Sequence, residues 1–150
     1  MGSIPMSRNL LNFVVLVIGI SLGNHSAAQS PCGIEDHTSK VCSKIRAETS
    51  PDKGTRSDIP VAGCKSRHSV ALSWKASVSL SSSHVDGQGY ILYRLSPDGS
   101  CVKIKDQLEQ TVYVDCSVEP GQTYRYAATA LKQNCESEPS NVVEVVVPRP

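Results

Sequence analysis

The chain has 150 residues, which is enough for one domain with a tail but hardly for two hydrophobic cores. It carries 15 Lys and Arg against 14 Asp and Glu, and aromatic residues make up 5% of it, so nucleic acid is a poor candidate partner. We find no internal repeat, which indicates one module and not an array.

The first 28 residues have the features of a secretory signal peptide. Arg8 precedes a 13-residue, mostly apolar run from Leu10 to Leu22, and small residues at Ser26 and Ala28 predict cleavage after Ala28. The run is shorter than the roughly 20 residues of a spanning helix, so a membrane anchor is the weaker alternative, and we expect no membrane span after cleavage. Removal of Arg8 lowers Lys plus Arg from 15 to 14 against 14 acidic residues, which leaves a formal charge of zero. We expect a secreted, extracellular protein, or one of the cell envelope or periplasm.

The cysteines are even in number and all follow the predicted cleavage point, which favours disulfides in an oxidising compartment. Six cysteines allow 15 pairings, and their spacing alone does not choose among them. They are Cys32, Cys42, Cys64, Cys101, Cys116 and Cys135. The alternative, a metal held by Cys32, His37 and Cys42, lacks the close ligand pairs of structural zinc sites. We therefore expect no metal and no cofactor.

Residues 29–58 read as a flexible, Cys-containing leader. Polar and charged residues dominate it, no alternation persists, and large apolar side chains are few. Val41, Ile45 and Glu48 are spaced for one or two helical turns, but so short a helix is marginal alone. The sequence therefore predicts a poorly structured leader that its cysteines tie down.

From Ile59 onward, short alternating segments follow one another between turn signals. In the clearest one, Val70, Leu72 and Trp74 share a face, which places the single tryptophan inside. Turns such as Pro97-Asp98-Gly99 separate the segments. The segments are IPVAG (59–63), HSVALSWKA (68–76), YILYR (90–94), CVKIK (101–105), TVYVD (111–115), TYRYAATAL (123–131) and NVVEVVV (141–147).

Seven short strands without helical periods between them predict an all-β sandwich. We expect Trp74, Tyr90 and Tyr124 in its core, with the Tyr124 hydroxyl reaching backbone near the Pro120-Gly121 turn. The phase of 111–115 stays open, because either Val112 and Val114 or Thr111 and Tyr113 could face inward.

The order of motifs across about 59–148 resembles that of a fibronectin type III domain. SVALSW is similar to its second strand, GYILYR to its third, VEPGQTYRYAATAL to its sixth and ESEPSNVV to the start of its last, and the combination is similar to bacterial secreted members. The resemblance implies a seven-stranded, immunoglobulin-like sandwich of sheets A-B-E and C-C′-F-G. Its strands would be A near 60–65, B 69–75, C 89–94, C′ 101–105, E 111–115, F 122–131 and G 141–147.

The chain departs from the family at two points. Asp115 stands where many members have an apolar residue, which leaves the register of strand E open, and most members lack disulfides. In this topology the C–C′ and E–F turns share an end, so the resemblance implies a disulfide between Cys101 and Cys116. Cys135 would lie at the other end, within reach of Cys64, a leader cysteine or another molecule. The partners of Cys32, Cys42, Cys64 and Cys135 therefore stay open.

We find no credible catalytic site and expect the protein not to be an enzyme. The one local cluster with catalytic residue types, Ser81-Ser82-Ser83-His84-Val85-Asp86, lies in a serine-rich loop without an oriented base. Binding is the remaining function, and loops or sheet faces of a sandwich usually carry it. A sheet face that is merely solvated is the more common interpretation of such exposed residues. The candidate binding regions are the B–C loop (77–87), the F–G loop (132–140) and the C-C′-F-G face with Tyr93, Arg94, Lys103, Lys105, Arg125 and Lys132.

The sequence thus predicts a secreted, non-enzymatic module of fibronectin type III kind that binds protein or glycan outside the cell. The expected partner is an extracellular protein or polysaccharide, and the integrin-binding tripeptide Arg-Gly-Asp is absent. The alternative is an accessory subunit, for substrate targeting or scaffolding, of an extracellular hydrolase.

Overall fold

The structure is a computed structural model that describes residues 13–18, 37–56, 64, 68–76, 88–132 and 135–149. For 13–18, 55–56 and 88 it describes the backbone alone. The elements are β1 (Phe13–Ile18), α1 (His37–Ala47), β2 (Asp52–Lys53), β3 (Thr55–Arg56), β4 (Ser69–Trp74), β5 (Gln88–Leu95), β6 (Cys101–Leu108), β7 (Val112–Asp115), β8 (Thr123–Lys132), β9 (Cys135–Glu136) and β10 (Val143–Val146).

The described strands form two sheets that face each other. One sheet has the order β3-β1-β4-β7, and the other has the order β2-β10-β8-β5-β6, with β9 paired to β8. The predicted strands B and E are β4 and β7, while C, C′, F and G are β5, β6, β8 and β10. The prediction of a β-sandwich is confirmed, and each of these six strands begins and ends within three residues of its predicted bounds. The predicted strand A lies outside the described residues except for Cys64.

The inner faces of the two sheets enclose the main hydrophobic core. Trp74, Tyr90 and Tyr124 are all buried in it, as the alternation of their strands predicts. The Trp74 and Tyr90 rings meet edge to face, with 5.5 Å between their centroids. Strand β7 directs Tyr113 inward and leaves Val112 54% exposed, which settles the phase that the sequence left open.

Residues His37–Ala47 of the predicted leader form a helix, which corrects the expectation of a poorly structured leader for this segment, while 29–36 and 57–58 lie outside the described residues. Helix α1 buries Val41, Cys42 and Ile45 against the outer face of the second sheet. There these side chains meet Ile91 and Tyr93 of β5 and others of β8. A helix of 11 residues is marginal in isolation, so this packing stabilises it. The sequence pattern showed the helical spacing but not the apolar sheet face that makes it favourable.

Polar contacts at the C-terminal end of α1 hold it in register with the sheet. Arg125 of β8 donates from Nη1 to the carbonyl oxygens of Glu48, at 2.9 Å, and Ile45, at 3.4 Å. These carbonyls lack partners within the helix, and a cation there also complements the helix dipole. The Arg125 Nε donates to Glu144 Oε2 at 2.9 Å, and Glu144 also pairs with Lys53.

The predicted disulfide between Cys101 and Cys116 is wrong. Cys101 bonds to Cys42 of α1, with 5.8 Å between the Cα atoms, and Cys116 bonds to Cys64, with 5.4 Å. The two turns do share one end of the sandwich, but Cys101 packs with the helix on the outer face of its sheet. Its side chain therefore points away from the layer to which β7 and Cys116 belong. Cys135 is also disulfide-bonded.

Strand β1 lies within the predicted signal peptide. It pairs in parallel with β4 from Phe13 opposite Ser69 to Ile18 opposite Trp74, and its other side pairs with β3. Cleavage after Ala28 would remove this strand. The structure does not test that cleavage, which therefore stays a prediction. No helix in the described ranges combines the length and the apolar character needed to cross a membrane.

Candidate binding cleft

An open cleft lies at the end of the sandwich where β5 turns into β6 and where β7 is followed by the connection to β8. Its volume is about 320 Å³. Two segments of turn form its walls, and the ends of β5 and β8 form its floor. The lining residues are Arg94, Ser96, Pro97, Asp98, Ser117, Glu119, Gln122 and Tyr124.

An ion pair between the two sheets supports the floor of the cleft. Arg94, near the end of β5, donates from Nη1 to Asp115 Oδ2 at 2.8 Å, and its side chain is 15% exposed. Asp115, the last residue of β7, is 2% exposed. Burial of the guanidinium opposes its charge, but the hydrogen bond and the charge of Asp115 prevail and raise the pKa of Arg94. Both groups therefore stay ionised near neutral pH.

Both carboxylate oxygens of Asp115 are hydrogen-bonded. Oδ2 also accepts from the Tyr126 hydroxyl at 3.1 Å, while Oδ1 accepts from the Ser117 amide at 2.9 Å and the Ser117 hydroxyl at 2.7 Å. Burial works against ionisation of Asp115, but the bonds from Ser117 and the contact with Arg94 outweigh it and lower its pKa. Burial, followed by the charge of Asp115, raises the pKa of Tyr126, so its phenol stays protonated and donates.

Tyr124 forms the other half of the floor. Its hydroxyl accepts a hydrogen bond from the Glu119 amide at 3.0 Å, which confirms that the phenol reaches backbone beside the Pro120-Gly121 turn. The Arg94 guanidinium lies over the Tyr124 ring, 5.5 Å from its centroid. Gly121 has a φ of 74°, a conformation that few other residues adopt, so the glycine is needed for the corner. The floor is thus fixed by the fold before any ligand arrives.

Charged residues of both signs surround the cleft. Asp98 accepts from the amide of Ser100 at 2.9 Å and from its hydroxyl at 2.6 Å, and these bonds lower the pKa of Asp98. Glu119 lies on the opposite wall. Arg46 donates to the Gly99 carbonyl at 3.2 Å beside Asp98, and the side chain of Arg149 lies against Gly121. The charges around the cleft are therefore mixed, and neither sign is left in clear surplus.

The lining residues offer polar groups that can hold a polar ligand. Hydroxyl, amide and carboxylate groups offer both donors and acceptors around the floor. An arrangement of this kind can orient a polar ligand.

The other predicted binding regions have different outcomes. On the C-C′-F-G face, α1 covers Tyr93 and Arg125 caps the helix, so this part of the face is not open for a ligand. Lys103, Lys105 and Lys132 are exposed, and Arg94 faces the other layer, where it pairs with Asp115. In the F–G loop, Glu138 pairs with Lys40 and the Pro139 carbonyl accepts from Lys44 at 2.8 Å, so its described part also holds α1. The B–C loop, 77–87, lies outside the described residues, as do His84 and Asp86.

Sequence reasoning missed Arg94 and Asp115 as a pair. A signal was present, because alternation places Arg94 on the same side of its strand as Tyr90 and Leu92, which are core residues. Asp115 lies two residues after Tyr113 and shares its inward side. Two opposite charges on inward faces at one end of a sandwich could have been matched to each other.

Comparisons with known proteins find a likeness among solved structures but none among family models or curated proteins. A scan against protein-family models gives no match, and a search of curated proteins gives none either. Among solved structures, the chain is similar to a Fn3-like protein from Clostridium thermocellum, at 22% sequence identity and a TM-score of 0.43. The similarity covers 55% of this chain and 79% of that chain.

Proposed function

We propose that the mature chain is a secreted, non-enzymatic module of fibronectin type III kind that binds a protein or a glycan outside the cell. The observation that carries this proposal is the open polar cleft on a floor fixed by Arg94, Asp115 and Tyr124. The order of the six strands β4, β7, β10, β8, β5 and β6 agrees with the family resemblance in the sequence. The disulfides point to an oxidising, non-cytoplasmic location, which supports export.

The chemistry of the cleft narrows the ligand. Donors and acceptors alternate around a volume of about 320 Å³, which suits a hydroxyl-rich sugar unit or one polar side chain of a protein. The rim carries charges of both signs, with Asp98 and Glu119 beside Arg46 and Arg149. We therefore expect a neutral glycan, or a protein that presents a polar side chain at this end of the sandwich.

Two matched double variants test the cleft. In the chain 29–150, Glu119→Ala with Gln122→Ala removes two wall side chains, whereas Glu109→Ala with Gln110→Ala makes the same changes beyond the far end of β6. The probes are immobilised neutral polysaccharides, acidic polysaccharides and fractionated cell-envelope proteins. Loss of two hydrogen bonds at about 1 kcal/mol each should weaken binding of the retained probe roughly tenfold or more in the first variant.

The control variant should bind like the unmodified chain. The proposal is contradicted if no probe class is retained, or if both double variants bind with unchanged affinity. Retention of the acidic polysaccharides alone would contradict the expectation of a neutral ligand. If a secreted hydrolase co-purifies with the unmodified chain but not with the cleft variant, the bound protein is that hydrolase and the chain acts as its accessory subunit.

A further inference from the structure

Strand β7 is an edge of the first sheet, and its outer side is open. Among the described strands, β7 pairs with β4 alone. The Trp74 amide donates to the Thr111 carbonyl at 3.0 Å, so the peptide groups of Thr111 and, by alternation, of Tyr113 face β4. Those of Val112 and Val114 therefore face away from the sheet, and no described residue bonds to them.

Strand β7 lacks the features that usually protect an edge strand. Its register with β4 is regular, and the residues whose peptide groups face outward are uncharged valines, of which Val112 is 54% exposed. The edge strand of the other sheet, β6, differs in each respect. Its register with β5 shifts twice, Gln107 has a φ of 50°, and it carries Lys103 and Lys105. Pairing with a further strand is therefore more favourable at β7 than at β6.

The opening between β6 and β7 is lined by apolar side chains. Residues 109–111 alone join the two strands, so both edges lie on one side of the sandwich. Val102 of β6 is 44% exposed although it pairs with Arg94, which faces the opposite sheet. Apolar side chains around an open strand edge favour a partner there. We call the apolar residues of this side the lateral patch, and none of them lines the cleft: Val102, Ile104, Val112, Tyr113 and Val114.

The charges on β6 and β7 fit a second copy of the chain in antiparallel orientation. Asp115 of β7 is compensated by Arg94. The exposed charges between positions 103 and 109 change sign halfway, because two basic residues precede two acidic ones. A two-fold axis at Tyr113 sets the basic half of one copy beside the acidic half of the other. Since the basic and acidic residues cancel, they favour neither an acidic nor a basic partner of another kind. They are Lys103, Lys105, Asp106 and Glu109.

We propose that two copies of the chain associate through β7, antiparallel and about a two-fold axis at Tyr113. Val112 of one copy then lies opposite Val114 of the other, and their outward-facing peptide groups exchange hydrogen bonds. The first sheets of the two copies become one continuous sheet, and the lateral patches cover each other. Both open edges are used, so association stops at a dimer. The surface is separate from the cleft, so this inference goes beyond the proposed function and does not depend on it.

The mass of the mature protein in solution, with its disulfides formed, tests the dimer. In sedimentation, the average mass should rise toward that of two chains between about 10 μM and about 1 mM, because a small interface dissociates in this range. Val112→Pro removes an outward-facing amide at the first residue of an edge strand, where proline is tolerated, and should weaken association at least tenfold. Val146→Pro is the matched control, because Val146 is 60% exposed and its amide faces away from β8.

The exchange of single amides locates the contact. The amides of Val112 and Val114 should exchange about fivefold more slowly at about 1 mM than at about 10 μM, whereas that of Tyr113, which faces β4 in either state, should change little. The proposal is overturned if the mass stays that of one chain throughout, which would leave the edge to a strand of another protein. It is also overturned if both prolines weaken association equally, or if Val112→Pro has no effect.

Charge variants give a second test that leaves the backbone of β7 unaltered, in case Val112→Pro does not fold. One variant, Lys103→Glu with Lys105→Glu, makes this side acidic throughout, and the other, Asp106→Lys with Glu109→Lys, makes it basic throughout. Each alone should associate at least tenfold more weakly than the unmodified chain, and a mixture of the two should form a dimer of one copy each. Association of either variant alone with unchanged strength would contradict the arrangement.

Discussion

Asp115→Asn should lower the free energy of unfolding by about 3 kcal/mol at pH 7, because it leaves the Arg94 charge buried between the sheets without its partner. The carboxylate of Asp115 is 2% exposed, and it accepts hydrogen bonds from Arg94, Tyr126 and Ser117. Because the side chain of Arg94 remains 15% exposed, we expect a loss of stability at the lower end of the range that is usual when a buried ion pair is broken. Urea denaturation of the chain 29–150 measures it.

The matched control is the double variant Asp115→Asn with Arg94→Met. It removes both charges and keeps most of the buried volume, so its cost should be clearly below the sum of the two single changes. Strict additivity of the two losses would show that the charges do not interact.

The ion pair between Arg94 and Asp115 also makes the free energy of unfolding depend on pH. The pKa of Asp115 in the folded state lies below its unfolded value of about 4, so the unfolded chain binds the proton more readily. The contribution of Asp115 is therefore complete above pH 4 and is lost as the pH falls below it through the folded pKa. The difference in stability between the unmodified chain and Asp115→Asn should shrink on acidification, whereas an unchanged difference would mean that packing and not charge is lost.

Removal of the Cys42–Cys101 disulfide should have an effect of similar size. The cysteines are 59 residues apart, and in the chain-entropy model a loop of that length is worth about 4 kcal/mol. In the variant Cys42→Ala with Cys101→Ala, α1 is held by its packing and polar contacts alone. Tyr93 is completely buried beneath α1 and its neighbours, so nitration of this tyrosine, read by mass spectrometry, reports loosening of the helix.

The variant Cys64→Ala with Cys116→Ala is the control. Its disulfide spans 52 residues, so the expected loss of stability is close to that of the first variant. It does not touch α1, and nitration of Tyr93 should stay slow. Equal nitration in both variants would show that the Cys42–Cys101 bond does not fasten the helix to the sheet.

Local patterns predicted the strands, but they could not predict what packs across them. Alternation in β4 and β8 is uninterrupted, which is why the burial of Trp74 and Tyr124 followed from the sequence. In β6 the pairing with β5 shifts register twice, between Tyr90 and Leu92 and between Leu92 and Tyr93, so alternation there is broken. Cys101 lies outside these shifts, because it pairs regularly with Leu95. Alternation with Ile104, which packs against the inner core, already places Cys101 on the outer face, and the predicted disulfide did not use this signal.

The helix and the ion pair depended on contacts between distant parts of the chain. Val41 and Ile45 form a short apolar stripe whose partners, from Ile91 to Val142, lie about 45 to 100 residues later, so nothing nearby in the sequence shows that the stripe is covered. Arg94 and Asp115 meet because β5 and β7 lie in opposite sheets at the same end. The closed outer face and the polar floor of the cleft follow from the assembly of the two sheets and not from either segment alone.

The most direct test of the account is a tryptic peptide map of the mature protein without reduction. Lys or Arg residues separate all six cysteines, so each pair gives its own linked peptides. We predict links from Cys42 to Cys101 and from Cys64 to Cys116, which leaves Cys32 as the partner within the chain for the disulfide-bonded Cys135. A peptide linking Cys101 to Cys116 would contradict the account, because α1 would then lack its covalent bond to the sheet that it covers.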